Sequence, residues 1–215
     1  MALTLYYHPI ASFCWKALIA LYETNTPFEP RLVDLGDPAS RDAFARIWPP
    51  AKFPVLHDPS TGLLEPESSI IIEYLAQHHP GSATLLPADP DQAREVRMHD
   101  RFFDGYVQAP MQKIVGDRIR PADQKDPFGV AEAHQTLELA YGMIEARIAD
   151  GQWLMGDAFT MADCAAAPAL YYANRVHPLE PKHPQAAAYL KRLHERPSFA
   201  RVFAEAQPLM HNFPE

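Results

Sequence analysis

The chain has 215 residues, of which 47% are hydrophobic, and carries a formal net charge of −8 at pH 7. This length suffices for one large domain or two small domains, each with its own hydrophobic core. The composition is that of a globular protein, which excludes a largely disordered chain. Because the net charge is negative and no lysine- or arginine-rich tract offsets it, we expect neither nucleic acid nor an anionic membrane surface as a partner.

Hydropathy and cysteine content narrow the class of protein further. No apolar run reaches the roughly 20 residues that a membrane helix needs, and the first residues lack the charged and apolar segments of a secretion signal. We therefore expect a cytoplasmic protein. Cys14 and Cys164 are the only cysteines, too few for a disulfide framework or a thiolate zinc site. The ten histidines show no metal-ligand spacing, so no metal is predicted.

The first third of the chain alternates strand and helix signals. Leu3–Tyr7 is a β-rich run, and residues with helical spacing follow it. The run from Phe28 to Leu35 alternates apolar and polar residues as a strand does, and Asp37 followed by proline indicates the start of a second helix. Two short apolar runs around Gly62 predict a β-hairpin, and “ESSIIIEYL” predicts a third helix. The predicted order is β-α-β-α-β-β-α.

A proline-rich stretch separates this unit from the rest of the chain. Residues 80 to 92, “PGSATLLPADPDQ”, hold three prolines and a glycine, as a linker between domains would. Only helical patterns follow it. We therefore predict an α/β domain over residues 1–80, a linker over 81–90 and an all-α domain over 91–215.

Helical periodicity and a capping motif define the second domain. One helix is predicted over residues 91–120 and another over 130–150. Thr160 and Asp163 stand three residues apart, which predicts a capping box in which each side chain accepts the backbone N–H of the other residue. The remaining helices are predicted near residues 184–195 and 198–206.

Four segments, in this order, resemble motifs of the cytosolic glutathione transferase family: “YYHPIASFCWKALIAL”, “KFPVL”, “ESSIIIEYL” and “FTMADCAAA”. The resemblance covers nearly the whole chain. It implies a thioredoxin-like N-terminal domain, an all-helical C-terminal domain, a homodimer, glutathione as co-substrate and a hydrophobic electrophile as acceptor, in a detoxification role. The serine-type first motif is similar to bacterial members and to the theta, zeta and tau classes.

The resemblance also assigns a glutathione site. Phe53 would precede a cis proline, Pro54, and its backbone N–H and C=O would pair with the cysteinyl unit of the tripeptide as an added strand. Ser68, at a helix N-terminus, would bind the γ-glutamyl carboxylate, and Glu67 would bind the ammonium group. Lys52 is a weaker candidate for the glycyl carboxylate. The alternatives without a ligand are an edge-strand proline and a serine that caps the helix.

The sulfur of glutathione would lie where the first helix begins, because unpaired N–H groups there stabilise a thiolate. Ser12 is the predicted activating hydroxyl, although related sequences have paired serines and the first position of the pair is Ala11 here. The alternatives are that Ser12 only caps the helix, or that Tyr6 or Tyr7 supplies the hydroxyl, since only one of them can face the site. Cys14 is the remaining alternative, as a thiol that forms mixed disulfides, but “CWKA” has no second cysteine for dithiol chemistry.

The electrophile is expected at an apolar wall between the two domains. Helical phase assigns four residues to this wall: Ile10, Phe13, Phe103 and Tyr106. The leading prediction is therefore a dimeric glutathione transferase. The alternatives are glutathione-dependent thiol reduction through Cys14, cis–trans isomerisation as in the zeta class, which “SFCWK” resembles, and a non-catalytic glutathione-binding module.

Overall fold

The computed structural model describes residues 2–148 and 151–214. Within them, four strands form one mixed sheet in the order β2-β1-β3-β4, with β1 parallel to β2 and antiparallel to β3. The strands are β1 Leu3–Tyr7, β2 Phe28–Leu32, β3 Val55–Asp58 and β4 Leu63–Pro66. The second strand ends before the predicted Leu35 because β1, its hydrogen-bonding partner, ends at Tyr7.

Helices cover the sheet and make up the second half of the chain. The α-helices are α1 Ser12–Glu23, α2 Pro38–Ile47, α3 Ser68–His78, α4 Pro90–Phe102, α5 Ala109–Arg118, α6 Pro127–Ile148, α7 Met161–Val176, α8 Pro184–Glu195 and α9 Pro197–Ala206. The predicted order of strands and helices is confirmed; the predicted ends at residues 1, 150 and 215 lie outside the described residues. In the part of the chain that is described, no helix is both long and apolar enough to cross a membrane.

The strand register gathers three chain segments at one edge of the sheet. Val55, the first residue of β3, pairs with Tyr6 near the end of β1 and with Pro66 at the end of β4. The loop after β1, the residues before β3 and the start of α3 therefore meet at this edge. These are the segments that carry the predicted glutathione-site residues.

Helix α1 lies at the centre of the hydrophobic core. It packs against α3, α7 and α9, and its residues from Cys14 to Leu21 are all buried. The Trp15 indole contacts aromatic rings of α7 and α9, with centroid distances of 5.1 Å to Tyr171 and 5.7 Å to Phe199. Because α1 belongs to the α/β unit and α7 and α9 to the helical region, one core spans both parts of the chain.

The helix predicted over residues 91–120 is interrupted by a π-helix, Phe103–Gln108. Pro110 has no N–H to donate to the carbonyl of residue 106, so an α-helical hydrogen-bond ladder cannot run unbroken through this position. In a π-helix each hydrogen bond spans one residue more than in an α-helix. Residues beyond the first turn of the π-helix are therefore rotated relative to the predicted helical phase, whereas Phe103, whose N–H still bonds to the His99 carbonyl, keeps that phase.

Asp58, at the end of β3, fixes the β3–β4 hairpin. Gly62 has a φ of 74°, the left-handed conformation that the hairpin prediction requires. The buried Asp58 carboxylate accepts the Ser60 N–H at 2.8 Å and the Tyr74 hydroxyl at 2.7 Å, and lies 3.2 Å from His79 Nε2. Together with the Ser60 hydroxyl, which contributes most, these donors hold the pKa of Asp58 well below its usual value.

Acid is expected to weaken the protein through Asp58. A carboxyl whose pKa is lowered on folding stabilises the folded state above its unfolded pKa of about 3.9, and that stabilisation is lost as the pH falls through and below this value. We expect Asp58→Asn to be less stable than wild type at pH 7 and to lose less stability on acidification, measured by urea unfolding from neutral pH to about pH 2. Asp157→Asn, at an exposed position, is the control; equal pH slopes for wild type and Asp58→Asn would contradict the assignment.

The capping box predicted at the start of α7 is present. The Asp163 carboxylate accepts the Thr160 N–H at 2.9 Å, the Leu154 N–H at 3.1 Å and the Tyr189 hydroxyl at 2.6 Å. Since Asp163 is fully buried, these bonds replace the water that its carboxylate loses on folding. The residue thus joins α7, α8 and the preceding loop.

Candidate active site

A cleft of about 530 Å³ lies between the sheet edge and the helical region. Its walls come from the loop after β1, the residues before β3, the π-helix, α5, α7 and the C-terminal segment. The lining residues include Ile10, Ser12, Phe13, Lys52, Phe53, Gln108, Met111, Tyr172 and Phe213. A cleft of this size, largely apolar with a few polar groups, suits a small organic ligand.

The loop between β1 and α1 is held in place by two buried aromatic side chains. The Trp15 indole N–H donates to the Pro9 carbonyl at 2.5 Å, and the Tyr172 hydroxyl of α7 donates to the Ile10 carbonyl at 2.7 Å. The loop therefore depends on the helical region for its position. The loop leads directly into the first turn of α1, at the edge of the cleft.

Ser12 is the first residue of α1, and its hydroxyl does not cap the helix. The N-cap is Ala11, and α1 has no side-chain cap. The Ser12 side chain is 9% exposed and lines the cleft. Its Oγ accepts a hydrogen bond from Nε2 of Gln108 at 2.5 Å. The capping alternative for Ser12 is therefore wrong, and the hydroxyl is directed to the interface with the π-helix.

Cys14 lies two residues further along α1 and is fully buried. Its Sγ accepts the His8 backbone N–H at 3.5 Å. Burial raises the pKa of the Cys14 thiol to about 12, despite the opposing effect of that hydrogen bond. A thiol with this pKa is protonated at neutral pH, so Cys14 lacks the thiolate that mixed-disulfide chemistry requires.

Tyr6 and Tyr7 lie on opposite faces of β1, as strand alternation predicts. Tyr6 packs in a small cluster with Phe44 of α2, at a ring centroid distance of 5.8 Å. Tyr7 packs against the main core, and burial raises its pKa. Among the described residues that line the cleft, neither tyrosine is present.

The segment before β3 has the backbone conformation that the resemblance implies. The Phe53–Pro54 peptide bond is cis. Lys52 and Phe53 line the cleft, and the Phe53 ring stacks on the ring of His8 from the loop after β1, with centroids 5.9 Å apart. The two segments therefore approach each other at the sheet edge that the strand register defines.

Glu67 and Ser68 lie at the start of α3, next to this segment. Glu67 has a φ of 72° and is the N-cap of α3, without a side-chain cap. For a residue other than glycine this backbone conformation costs about 1–3 kcal/mol and persists where the surrounding structure enforces it, often at ligand sites. Ser68 is the first residue of α3 and is buried, so the predicted alternative of a capping serine is wrong.

Phe103 and Tyr106 do not line the cleft, which corrects the prediction for the electrophile wall. Phe103 is fully buried and lines a separate cavity of about 210 Å³ with His99 and Arg147. Tyr106 is 58% exposed, and its ring centroid lies 5.5 Å from that of Phe102 with the two planes tilted by 31°. The prediction assumes an unbroken α-helix, whose phase the π-helix changes at Tyr106. Phe103 keeps its phase but packs into the main core instead of the cleft.

Gln108 takes the place that helical phase assigned to those aromatic residues. It is 2% exposed, ends the π-helix and contacts Ser12. The sequence reasoning missed it because a glutamine in a helical pattern normally indicates a solvent-exposed face. The signal that could have revealed it was Pro110, which breaks the helical register two residues later.

Two domain families match the chain. The glutathione S-transferase N-terminal domain matches residues 5–83, and the glutathione S-transferase C-terminal domain matches residues 127–192. The chain belongs to the glutathione S-transferase family. The resemblance that the four motifs predicted is thereby confirmed, and so is the architecture of a thioredoxin-like unit followed by a helical one.

Relatives of known name share this family. A glutathione S-transferase-like protein of Fusarium is 36% identical over 150 residues, which span 69% of this chain and 64% of that protein. The maleylacetoacetate isomerase of Aspergillus fumigatus is 30% identical over 218 residues, with 95% of this chain and 91% of that protein covered. A glutathione S-transferase from Methylobacterium radiotolerans, crystallised with glutathione sulfonate, aligns with a TM-score of 0.81 at 30% identity over 94% of each chain. This glutathione S-transferase family member is therefore a glutathione-dependent enzyme, a transferase or an isomerase.

Proposed function

We propose that this enzyme activates the thiol of glutathione with the Ser12 hydroxyl and the N-terminus of α1, and transfers the glutathionyl group to a hydrophobic electrophile. The position of Ser12 carries the proposal, because its side chain lies in the first turn of α1 and lines the cleft. In the reaction the thiol proton leaves to solvent and the thiolate forms a carbon–sulfur bond with the electrophile. The electrophile then releases its leaving group or takes up a proton.

The energetic requirement for this activation is modest. A thiol with an ordinary pKa of about 8.5 needs a decrease of roughly two pH units, or about 3 kcal/mol, to be mainly thiolate at pH 7. A helix N-terminus supplies about 0.3–1 kcal/mol of this, and a hydrogen bond from a hydroxyl to the charged sulfur about 1.5–3 kcal/mol. The hydroxyl is thus the larger contribution.

The tripeptide would lie along the sheet edge. The proposed contacts are the Phe53 backbone, beside the cis Pro54, for the cysteinyl unit, and Lys52 for the glycyl carboxylate. Glu67 and Ser68 would bind the ammonium and carboxylate of the γ-glutamyl unit, where the unpaired amides at the start of α3 favour an anion. The register that brings Pro66 beside Val55 supports this arrangement, since it sets Pro54 and Glu67 at the same edge.

The electrophile would occupy the apolar half of the cleft. Ile10 and Phe13 from the predicted wall line it, together with Met111 of α5 and Phe213 of the C-terminal segment. Phe213 stacks on Tyr172 with ring centroids 5.3 Å apart, so it forms a fixed apolar surface. An aromatic or conjugated electrophile fits these walls best.

Glutathione-dependent cis–trans isomerisation is a second candidate. It is favoured by the 30% identity to a maleylacetoacetate isomerase over 95% of the chain, and it would use the same activated thiol through reversible addition to a double bond. Thiol reduction through Cys14 is disfavoured by the burial and the raised pKa of that thiol. A non-catalytic binding module is disfavoured by membership in a family of enzymes.

Product analysis distinguishes the two candidates. Purified enzyme is incubated with glutathione and either an aryl halide, a conjugated enal or a cis-configured enone. Transfer predicts a covalent glutathione adduct in proportion to the electrophile consumed, whereas isomerisation predicts the trans product without net loss of glutathione. If no substrate turns over but glutathione raises the melting temperature, the enzyme proposal is wrong and a binding module remains.

We also propose that the enzyme is a homodimer. A groove on the outer face of α4, the π-helix and α6 exposes a run of large apolar side chains, and β4 with α3 exposes a second set. These residues are Met98, Tyr106, Leu139 and Met143 in the groove, and Leu63, Leu64 and Ile70 on the α/β unit. Apolar patches of this kind mark protein–protein contact sites. A second copy of the chain would cover both.

A charge in the groove is expected to dissociate this dimer. Leu139→Glu with Met143→Asp would force two carboxylates into an apolar interface, so sedimentation equilibrium should shift from twice the chain mass to the chain mass. Phe128→Glu is the matched control, since Phe128 is 74% exposed but lies outside the groove. A wild-type protein that sediments as a monomer would contradict the dimer.

The division into residues 1–80, 81–90 and 91–215 is also part of this proposal. It is supported by the interval between α3, which ends at His78, and α4, which begins at Pro90, and by the position of all four strands before it. A cytoplasmic location and a role in detoxification belong to the proposal as well. Cell fractionation and the sensitivity of a deletion strain to electrophiles would test them.

A further inference from the structure

Gln108 is a buried polar residue whose hydrogen bonds are only half satisfied. Its side chain is 2% exposed, and its Nε2 donates to Ser12 Oγ at 2.5 Å. Its other polar atom, Oε1, is buried and accepts no hydrogen bond from any residue that the structure describes. The residue also lines the cleft.

This arrangement is unfavourable for stability. A buried acceptor without a partner costs free energy that an apolar side chain of similar shape would not. Of the α5 residues that line the same cleft, Met111 and Val115 are apolar, and Gln112 is exposed, so its amide can be hydrated. A glutamine at position 108 is therefore better explained by its contact with Ser12 than by packing.

The contact constrains the hydroxyl of Ser12. A serine hydroxyl has one proton to donate and two lone pairs that accept. Because the Gln108 amide donates to Oγ, one lone pair is occupied and the Ser12 proton is not needed for this bond. The proton is then available to a partner in the cleft, and a donated hydrogen bond at Oγ makes the hydroxyl a stronger donor.

We infer that Gln108 is a positioning residue that orients the Ser12 hydroxyl toward the sulfur of glutathione. The inference rests on the proposed function of Ser12. Gln108 touches Ser12 and acts through it, so its effect requires the hydroxyl. It also makes activation of the thiol depend on the helical region, since the π-helix that ends at Gln108 sets the side chain against α1.

The test measures the pKa of enzyme-bound glutathione by its ultraviolet thiolate absorbance, alongside kcat/KM and melting temperature. Gln108→Met removes the amide but keeps the side-chain length. We expect the thiol pKa to rise by about half to one pH unit and kcat/KM to fall about five- to tenfold, as for loss of one neutral hydrogen bond. The melting temperature should stay equal or rise, because the unpaired Oε1 is removed. Gln135→Met, on the exposed face of α6, should change none of these.

Two further variants make the result specific to the orientation of the hydroxyl. The ionised side chain in Gln108→Glu can accept the Ser12 proton but cannot donate to Oγ, so this variant should raise the thiol pKa more than Gln108→Met does. The double variant Ser12→Ala with Gln108→Met should match Ser12→Ala alone, because Gln108 has no hydroxyl left to orient.

The outcomes separate this inference from the proposal beneath it. If Ser12→Ala leaves the thiol pKa unchanged, the role of Ser12 fails. If Ser12→Ala raises the thiol pKa while Gln108→Met does not, only the role of Gln108 fails. A thiol pKa in Gln108→Glu equal to that of wild type would also overturn the inference, since the hydroxyl would then already donate to residue 108.

Discussion

Ser12→Ala is expected to lower kcat/KM for conjugation about 10²- to 10³-fold, the usual effect of removing one hydrogen-bond donor from a developing or stabilised anion. Glutathione affinity should change little, because the contacts proposed for its two ends lie on the segments before β3 and at the start of α3. With glutathione saturating, the pH at which kcat/KM for the electrophile reaches half its maximum should rise with the pKa of the bound thiol, because the enzyme–glutathione complex is then the form that reacts. Steady-state kinetics from about pH 5 to pH 9 measure both effects.

Cys14→Ala is the informative comparison for this prediction. Cys14 follows Ser12 by two residues on α1 but is fully buried, so its substitution should leave the pH profile in place. An enzyme that keeps its activity in Ser12→Ala and loses it in Cys14→Ala, without loss of folded protein, would contradict the serine mechanism. A thiol mechanism would then be required despite the burial of Cys14.

The second large effect concerns Lys16, a buried cation that links the two units. Its Nζ lies 2.6 Å from Asp100 Oδ1 and 2.9 Å from Asp104 Oδ2, and donates to the Ser69 hydroxyl at 2.8 Å. Arg101 adds a second cation, with its Nη2 2.6 Å from Asp100 Oδ2. The network joins α1, α3, α4 and the π-helix and balances two carboxylates with two cations.

Lys16→Met is expected to destabilise the folded enzyme by about 3–5 kcal/mol, because it leaves the buried carboxylates with one cation instead of two. Methionine preserves most of the side-chain volume, so the loss of stability measures the effect of removing the positive charge. Urea unfolding at fixed protein concentration measures it. Lys113→Met is the control: Lys113 is 43% exposed and 3.6 Å from Asp126, and such a surface pair contributes about 0–1 kcal/mol.

The difference in unfolding free energy between wild type and Lys16→Met should become smaller as the pH falls. Burial already raises the pKa of Asp104 above its usual value, against the attraction of Lys16, and removal of Lys16 raises it further. A group with a raised pKa in the folded state favours that state at low pH and loses this contribution as the pH rises through its folded pKa. A deficit that grows on acidification would contradict this assignment of the network.

Local signals predicted the parts of the structure that depend on a few neighbouring residues. The capping box at Thr160 and Asp163, the left-handed Gly62 and the Asp37 cap before Pro38 all appear as the sequence indicates. Each is fixed by backbone hydrogen bonds within a short segment. The cis bond before Pro54 followed from the family motif, since a Phe-Pro pair does not by itself specify its isomer.

The features that local signals could not predict depend on how segments distant in the sequence pack against each other. The Ser12 hydroxyl contacts Gln108, which lies 96 positions away in the sequence. No local sequence pattern predicts that contact. A period of 3.6 residues assigns Phe103 and Tyr106 to the cleft, but the π-helix interrupts that period before Tyr106, and tertiary packing places Phe103 in the main core. The position of Cys14 near a helix start leaves a reactive thiol open as an alternative, and only the folded structure shows that the side chain is fully buried.

A crystal structure of the enzyme with glutathione tests the central claim most directly. The account predicts the sulfur within hydrogen-bonding distance of Ser12 Oγ, and the cysteinyl backbone paired with Phe53 beside the cis Pro54. A tripeptide whose sulfur contacts Tyr7 or Cys14 instead would contradict it, as would a cleft that stays free of the tripeptide at saturating concentration.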